Sequence, residues 1–332
     1  MTGPSLLPDA RVPLDAVVAR AAFETIMDGQ ADDEDLARFL VDLAERGETV
    51  DEIAAAADAL RQRALTITAP DGAIDVCGTG GDGKHSFNVS TAVAIVVAAC
   101  GVPVAKHGNR AASSRSGTAD VLARLGVDIE ASPETVERSL HEIGIGFLFA
   151  AKHHGAMARV AAVRRWLGVR TIFNLLGPLA NPAGVKRQLI GVPASRWVKP
   201  IAEALARLGG DQAMVVHGSD GLDEITVTGP SSIARLRNGL TEISTVLPAD
   251  AGLAVHDEAE LIGGDPGHNA GALRRLLEGT AGAYRDIVLI NAAAALMVAE
   301  RATNWTDGAA MAATAIDSGE AKALLARWAA FR

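Results

Sequence analysis

Residues 74–91 read Ile74-Asp-Val-Cys-Gly-Thr-Gly-Gly-Asp-Gly-Lys-His-Ser-Phe-Asn-Val-Ser-Thr91. A short apolar, strand-like run ends at Cys77, glycines stand at 78, 80, 81 and 83, and a helical pattern begins near Asn88. Strand, glycine turn and helix together open an α/β layer. Glycine lets backbone approach an oxyanion, and a helix start offers unpaired N–H groups with partial positive charge. Asn88, Ser90 and Thr91 add side-chain donors at that helix mouth, where they also serve as ordinary N-caps. A tight turn without a ligand is the plain alternative. Four glycines beside three hydroxyl or amide residues favour a phosphate.

Outward from this stretch, further β-branched or apolar runs at 102–105, 127–129, 146–150, 189–192 and 213–217 alternate with helical segments such as 90–100 and 116–125. Strands separated by helices predict an α/β fold with a mainly parallel central sheet flanked by helices. Before residue 68 the pattern is purely helical. Leu36, Phe39, Leu40 and Leu43 recur at helical spacing up to Gly47, and Thr49 with Glu52 forms a capping-box pattern. Ser132-Pro133 opens a helix, and the last third reads as helices, including 287–299 and one ending near Arg332. The expected division is a smaller helical domain at 1–68, completed by helices within about 132–185, and an α/β domain at 69–332.

The 332 residues carry 31 basic and 40 acidic side chains, a net charge of −9, which opposes a surface that tracks nucleic acid. Hydrophobic residues at 49% suit a globular core, and aromatics at 4% leave little stacking surface for bases. Cys77 and Cys100 lie among apolar neighbours and read as reduced thiols. The N-terminus lacks the pattern of a signal peptide, and the apolar run 92–100 is far short of the roughly 20 residues of a membrane span. A cytoplasmic protein is expected.

Two common phosphate loops fit poorly. Gly78 to Lys84 matches the start of a nucleotide-triphosphatase loop, but His85 stands where a magnesium-binding hydroxyl belongs. Gly78, Gly80 and Gly83 match a dinucleotide fingerprint, yet the acid expected about 20 residues on is missing from 102–106. A second loop, Lys106-His-Gly-Asn-Arg-Ala-Ala-Ser-Ser-Arg-Ser-Gly-Thr118, gathers Lys106, Arg110 and Arg115 with four hydroxyls, a set that donates to anions. Both loops follow consecutive strands, at the edge where open α/β sheets bind ligands. Together they describe a site for a compound with more than one phosphate.

A third element, His217-Gly-Ser-Asp-Gly-Leu-Asp-Glu224, puts two acids after a strand, the oxygen ligands Mg²⁺ prefers. Adjacent side chains enter one cavity only from a loop or a strand end. A fourth holds Lys152, His153, His154, Arg159, Arg164, Arg165 and Arg170. Most of these read as a solvated helix face, the histidines as surface or capping residues, with one arginine free to pair with a substrate carboxylate. The run 177–182 reads as a rigid turn or hinge.

In this order, Gly78-Thr-Gly-Gly-Asp82, Asn88-Val-Ser-Thr91, Lys106-His-Gly-Asn-Arg110, Ser116-Gly-Thr-Ala-Asp120, Val163-Arg164 with 168–182, and Asp220-Gly-Leu-Asp-Glu224 resemble the anthranilate phosphoribosyltransferase family over nearly the whole chain. The resemblance implies that 5-phosphoribosyl 1-pyrophosphate (PRPP) binds Gly78, Gly81, Asp82, Ser86, Asn88, Val89, Ser90, Thr91, Lys106, His107, Gly108, Asn109, Arg110, Ala111, Ala112, Ser113, Ser114 and Thr118. It implies anthranilate contacts at Gly78, His107, Asn109 and Arg164, and Mg²⁺, two ions, at Ser90, Asp223 and Glu224. It further implies a homodimer and Mg-dependent transfer to the anthranilate amine, the second step from chorismate to tryptophan, with no covalent enzyme intermediate. Ala151 and Gly155 depart from the prolines that the family pattern leads one to expect. Three other readings stay open: a kinase or ATPase using the Lys84 loop, a same-fold nucleic-acid binder, and a pyrimidine nucleoside phosphorylase-like enzyme.

Overall fold

The computed structural model describes residues 5–111 and 115–332. Three helices lead: α1 (Ala16–Met27), α2 (Asp33–Arg46) and α3 (Val50–Arg61). Asp15, Asp32 and Thr49 cap their first-turn N–H groups. The expected capping box closes at α3, with Thr49 N donating to Glu52 at 2.8 Å and Glu52 N donating to Thr49 Oγ1 at 3.3 Å. Leu36, Phe39, Leu40 and Leu43 form the buried face of α2.

Strands and helices then alternate: β1 (Ile74–Gly78), α4 (Val89–Ala99), β2 (Val104–Gly108), α5 (Thr118–Leu125), α6 (Pro133–Ile143), β3 (Ile145–Phe149), α7 (Ala150–His153), α8 (Met157–Leu167), α9 (Phe173–Leu176), β4 (Arg187–Gly191), α10 (Val198–Arg207) and β5 (Gln212–Gly218). A hairpin of β6 (Ser231–Arg237) and β7 (Leu240–Val246) follows, then α11 (Pro266–Leu277), α12 (Ala283–Val298), α13 (Trp305–Asp317) and α14 (Glu320–Ala330). The strands form one seven-stranded sheet in the order β3-β2-β1-β4-β5-β6-β7. β3 through β5 are parallel, and β6 and β7 extend the sheet antiparallel. This is the expected α/β architecture: a mostly parallel sheet flanked by helices, with a helical N-terminal part.

Strand alternation divides the core between the two faces. Met214 and Val216 of β5 join α4, α5 and α11–α14 on one face. Ala213 and Val215 join α1–α3 and α8–α10 on the other. Helices α4 and α12 are buried almost all round, which is why their sequences show no polar stripe. The leader is tied to the chain between residues 150 and 182. Arg61 Nε donates to Leu179 O at 2.6 Å, and Leu65 N donates to His153 O at 2.8 Å.

Three local expectations change. No strand forms at 127–129: Gly126 ends α5 with φ 95°, Val127 N turns back to Leu122 O at 3.0 Å, and the segment runs on into α6. The β6–β7 hairpin stands where only helices were expected. β2 also runs on to Gly108, so Lys106 and His107 belong to a strand rather than to the loop after it. No helix among the described residues is long and apolar enough to cross a membrane.

Candidate active site

The sheet reverses its winding between β1 and β4, so their carboxyl ends flank the crevice where such folds bind ligands. Gly78 and Gly191 are register partners at those two ends. The turn after β5 crosses directly over them. A methyl group at Gly78 would fall 2.9 Å from Asp223 Cγ, and one at Gly191 would run into the Asp223 backbone. Glycine is therefore required at both positions to admit Asp223. Residues 223 and 224 are bends rather than strand, which lets both acids serve one cavity.

Gly80 N donates to Asp223 Oδ2 at 2.8 Å, and Ser90 N, in the first turn of α4, donates to Glu224 Oε1 at 3.1 Å. Gly80 and Gly81 hold φ of 68° and 79°, a backbone open to glycine. Burial, with Asp82 next, pushes the Asp223 carboxyl up to about 7. Burial and then Asp223 push Glu224 well above the usual carboxylate range. Crowded carboxylates of this kind favour a cation between them. Among the described residues no three His, Cys, Asp or Glu side chains gather for a metal. Two carboxylates and the Ser90 hydroxyl suit Mg²⁺, which takes one or two protein acids and completes its shell with water and substrate phosphate.

Lys106 is fully buried. Its Nζ donates to Val76 O at 2.6 Å and to Ser90 Oγ at 3.2 Å. Burial pulls its pKa down, and the Asp75 carboxylate opposes that pull. Asp75 also accepts from His107 N at 3.1 Å and from Asn181 Nδ2 at 2.8 Å, so β1 and β2 are joined through side chains beyond Ile74 and Val104. The segment 177–182 is thus anchored in the sheet by Asn181. Asp120 holds both ends of the second loop, accepting from Ala111 N at 3.0 Å and Gly117 N at 3.1 Å. Arg110 pairs with Asp120 at 3.2 Å rather than standing free. Ala112, Ser113 and Ser114 lie outside the described residues.

On the far side, Arg164 Nη2 donates to Asn174 Oδ1 at 3.2 Å and its guanidinium lies 6.0 Å from the Phe173 ring centre. His107 Nδ1 is 2.9 Å from Gly177 O, which fixes its proton on that nitrogen. Its ring meets His154 edge-on at 5.1 Å. His153 and His154 are buried, not surface residues as the sequence suggested. Burial drives His107 down to about 3 and His154 to about 4, so both stay neutral.

One cavity of about 410 Å³ brings together Gly78, Gly81, Asp82, Ser86, Asn88, Val89, Ser90, Lys106, His107, Gly108, Asn109, Arg110, Ala111, Thr118, Arg164, Asp223 and Glu224. Thr91 is buried just behind it, its hydroxyl 3.4 Å from that of Thr118. Lys84, the residue a nucleotide-triphosphatase loop would need, instead pairs with Glu258 at 2.8 Å. The sequence reading missed Phe173, Asn174, Pro178 and Gly264, the last close to where Phe87 N donates to Leu261 O at 3.1 Å. Gly263-Gly264-Asp265-Pro266 was the available signal, a turn leading into a helix with Pro in its first position.

Residues 70–322 match the glycosyl transferase family a/b domain, and residues 10–64 its helical bundle domain. The chain is 59% identical to an anthranilate phosphoribosyltransferase of Parvibaculum lavamentivorans, over 95% of this chain and 92% of that one. Its fold is similar to the anthranilate phosphoribosyltransferase of Thermus thermophilus, with TM-score 0.92, 44% identity, and 98% and 99% of the two chains covered. It is also similar to the Saccharomyces cerevisiae enzyme solved with PRPP and Mg, with TM-score 0.87, 28% identity, and 95% and 92% covered. That yeast enzyme has also been solved with 4-fluoroanthranilate.

Proposed function

This chain belongs to the anthranilate phosphoribosyltransferase family of glycosyl transferases, and from that premise we infer how its cavity carries out the family's reaction. It transfers the phosphoribosyl group of PRPP to the amine of anthranilate, giving N-(5-phosphoribosyl)anthranilate and pyrophosphate, in tryptophan biosynthesis. The kinase, phosphorylase-like and nucleic-acid readings find no support.

The donor half comprises Gly78, Gly81, Asp82, Ser86, Asn88 to Thr91, Lys106 to Ser114 and Thr118. Supporting this, the glycine turn, the first turn of α4 and Lys106 all line one cavity, with Lys106 Nζ bonded to Ser90 Oγ. Backbone N–H groups fixed before substrate arrives stabilise developing charge on the leaving pyrophosphate without reorganisation. Two Mg²⁺ ions would be held by Asp223, Glu224 and Ser90 and would supply neutralisation of that leaving group. The acceptor half comprises Gly78, His107, Asn109 and Arg164, with Arg164 taking the anthranilate carboxylate. An aromatic amine is unprotonated at neutral pH, so neutral His107 is a wall that excludes water rather than a base. Orientation carries the rate, and no enzyme nucleophile is needed.

The smaller body is 1–68 with helices from about 132–185. Its support is that Val160, Val163, Ile172 and Phe173 pack with Phe23, Leu36 and Leu40, in a core that runs on to Ala213 and Val215 of the sheet. By contrast, α6 packs on β3 with Val136 and Leu140 in a separate cluster. A homodimer would cover Val17 and Trp166, exposed at 78% and 69% on neighbouring helices α1 and α8. A cytoplasmic place suits a polyphosphorylated sugar, which crosses no apolar bilayer unaided.

The observation that carries the reading is the convergence of both loops, the Asp223–Glu224 pair and Arg164 on one cavity. Loss of anthranilate fluorescence, dependent on both PRPP and Mg²⁺, tests it; no loss with all three present contradicts it.

A further inference from the structure

Asn88 stands at the N-cap of α4, yet its side chain makes no capping bond to that helix. An asparagine there ordinarily turns its oxygen onto the first-turn N–H groups. Here Asn88 Oδ1 instead accepts from Asn269 Nδ2 at 2.8 Å and from Ser116 Oγ at 3.2 Å. Asn269, in the first turn of α11, is buried with 1% of its surface exposed. Its own oxygen is taken by Gly264 N at 2.7 Å, so only its N–H edge is left to face Asn88. The backbone of Asn88 is held as well: Tyr284 OH donates to Asn88 O at 3.3 Å, and the Phe87 and Tyr284 rings stack at 4.4 Å.

We propose that Asn269 is a positioning residue for the phosphate donor: it captures the Asn88 oxygen and so keeps the Asn88 amide turned with an N–H, not its oxygen, toward the substrate. The proposal rests on the reading of Asn88 as a donor contact. An amide whose oxygen is engaged on one side presents hydrogen-bond donors on the other, and a phosphate requires donors. Without Asn269 nothing on that side holds the Asn88 amide, which is then able to turn over and present its oxygen to the anion. Through Ser116 the same amide also ties the first loop to the second, since Asn88 Nδ2 donates to Ser116 O at 3.4 Å.

The test is steady-state kinetics on Asn269→Asp, Asn269→Ala and Asn269→Ser, with Asn88→Ala as reference and thermal melts to verify folding. Aspartate has nearly the same shape but no N–H to give. It turns the Asn88 amide over and points a carbonyl at the phosphate. The expected result is a donor KM raised roughly tenfold or more in Asn269→Asp, the loss of about one hydrogen bond to a charged group, with anthranilate KM within about twofold of the parent. Asn269→Ala should rise less than the aspartate variant, and Asn269→Ser, whose hydroxyl ends a bond short of the Nδ2 position, should match the alanine. A purely packing role gives the reverse order: the cavity-forming alanine is worst, and both KM values move together. Donor KM unchanged in Asn269→Asp while Asn88→Ala raises it overturns the proposal. If Asn88→Ala itself leaves donor KM unchanged, the donor-site reading fails and the proposal with it. Should the aspartate variant not fold, alanine decides: a donor KM unchanged in Asn269→Ala while Asn88→Ala raises it overturns the proposal.

Discussion

The Asp223 carboxylate fills the space that a side chain at Gly78 would need: a methyl there would lie 2.9 Å from Asp223 Cγ. The end of β1 and the acid turn after β5 therefore fit together only because residue 78 has no Cβ.

Gly78→Ala should push Asp223 aside by a substantial fraction of an ångström. Mg-dependent turnover should fall roughly a hundredfold, the penalty for about 1 Å of misplacement in a site. Overpacking should cost about 1–3 kcal/mol of stability. Turnover against Mg²⁺ concentration, beside a thermal melt, checks it; full activity in a folded variant would show that Asp223 need not stand where it does.

Asp223→Asn with Glu224→Gln keeps the shape of the turn while removing its charge. Turnover should become nearly insensitive to Mg²⁺, and the Mg-induced rise in melting temperature should vanish. The metal-free variant should be at least as stable as the parent, because two crowded carboxylates raised by burial are gone. An intact Mg response in the variant counts against a metal role for the pair.

Arg164→Ala removes a cation that lines the cavity and is proposed to take the anthranilate carboxylate. Anthranilate KM should rise about ten- to a hundredfold, the cost of about 1.5–3 kcal/mol for a charged hydrogen bond, while the dissociation constant of PRPP stays near the parent value. Equal losses for both substrates, by kinetics and calorimetry, would contradict the assignment.

His107 and His154 have folded pKa values depressed to about 3 and about 4, against 6.5 for a free imidazole. Between 6.5 and those values the unfolded chain binds more protons than the folded one, so stability is present above 6.5 and is lost as pH falls through that window. His154→Gln should flatten the acid limb of a melting-temperature curve between about pH 6.5 and 4. An unaltered limb would show that His154 is not held neutral.

Much of this architecture is legible in residue patterns, and the gaps have physical causes. Alternating strand and helix texture reveals the parallel sheet, and glycines at 78, 80, 81 and 83 mark the crevice. The β6–β7 hairpin carried a signal that went unused: Asn238-Gly239 between two strand-like runs, with φ of 51° and 76°. Lys106 and His107 read as loop because they are polar, yet Val76 O, Ser90 Oγ and Asp75 satisfy them inside the sheet. His153 and His154 read as surface for the same reason; in the fold the segment at Leu65 meets His153, and the His107 ring meets His154. Asn269 has no local signature; its partner Asn88 lies 181 residues away.

The most direct test is a crystal structure of this protein soaked with PRPP and Mg²⁺. The pyrophosphate should lie between the turn at 78–91 and the loop at 106–118, with metal on Asp223 and Glu224. PRPP bound elsewhere, or both loops empty at saturating concentration, would contradict it.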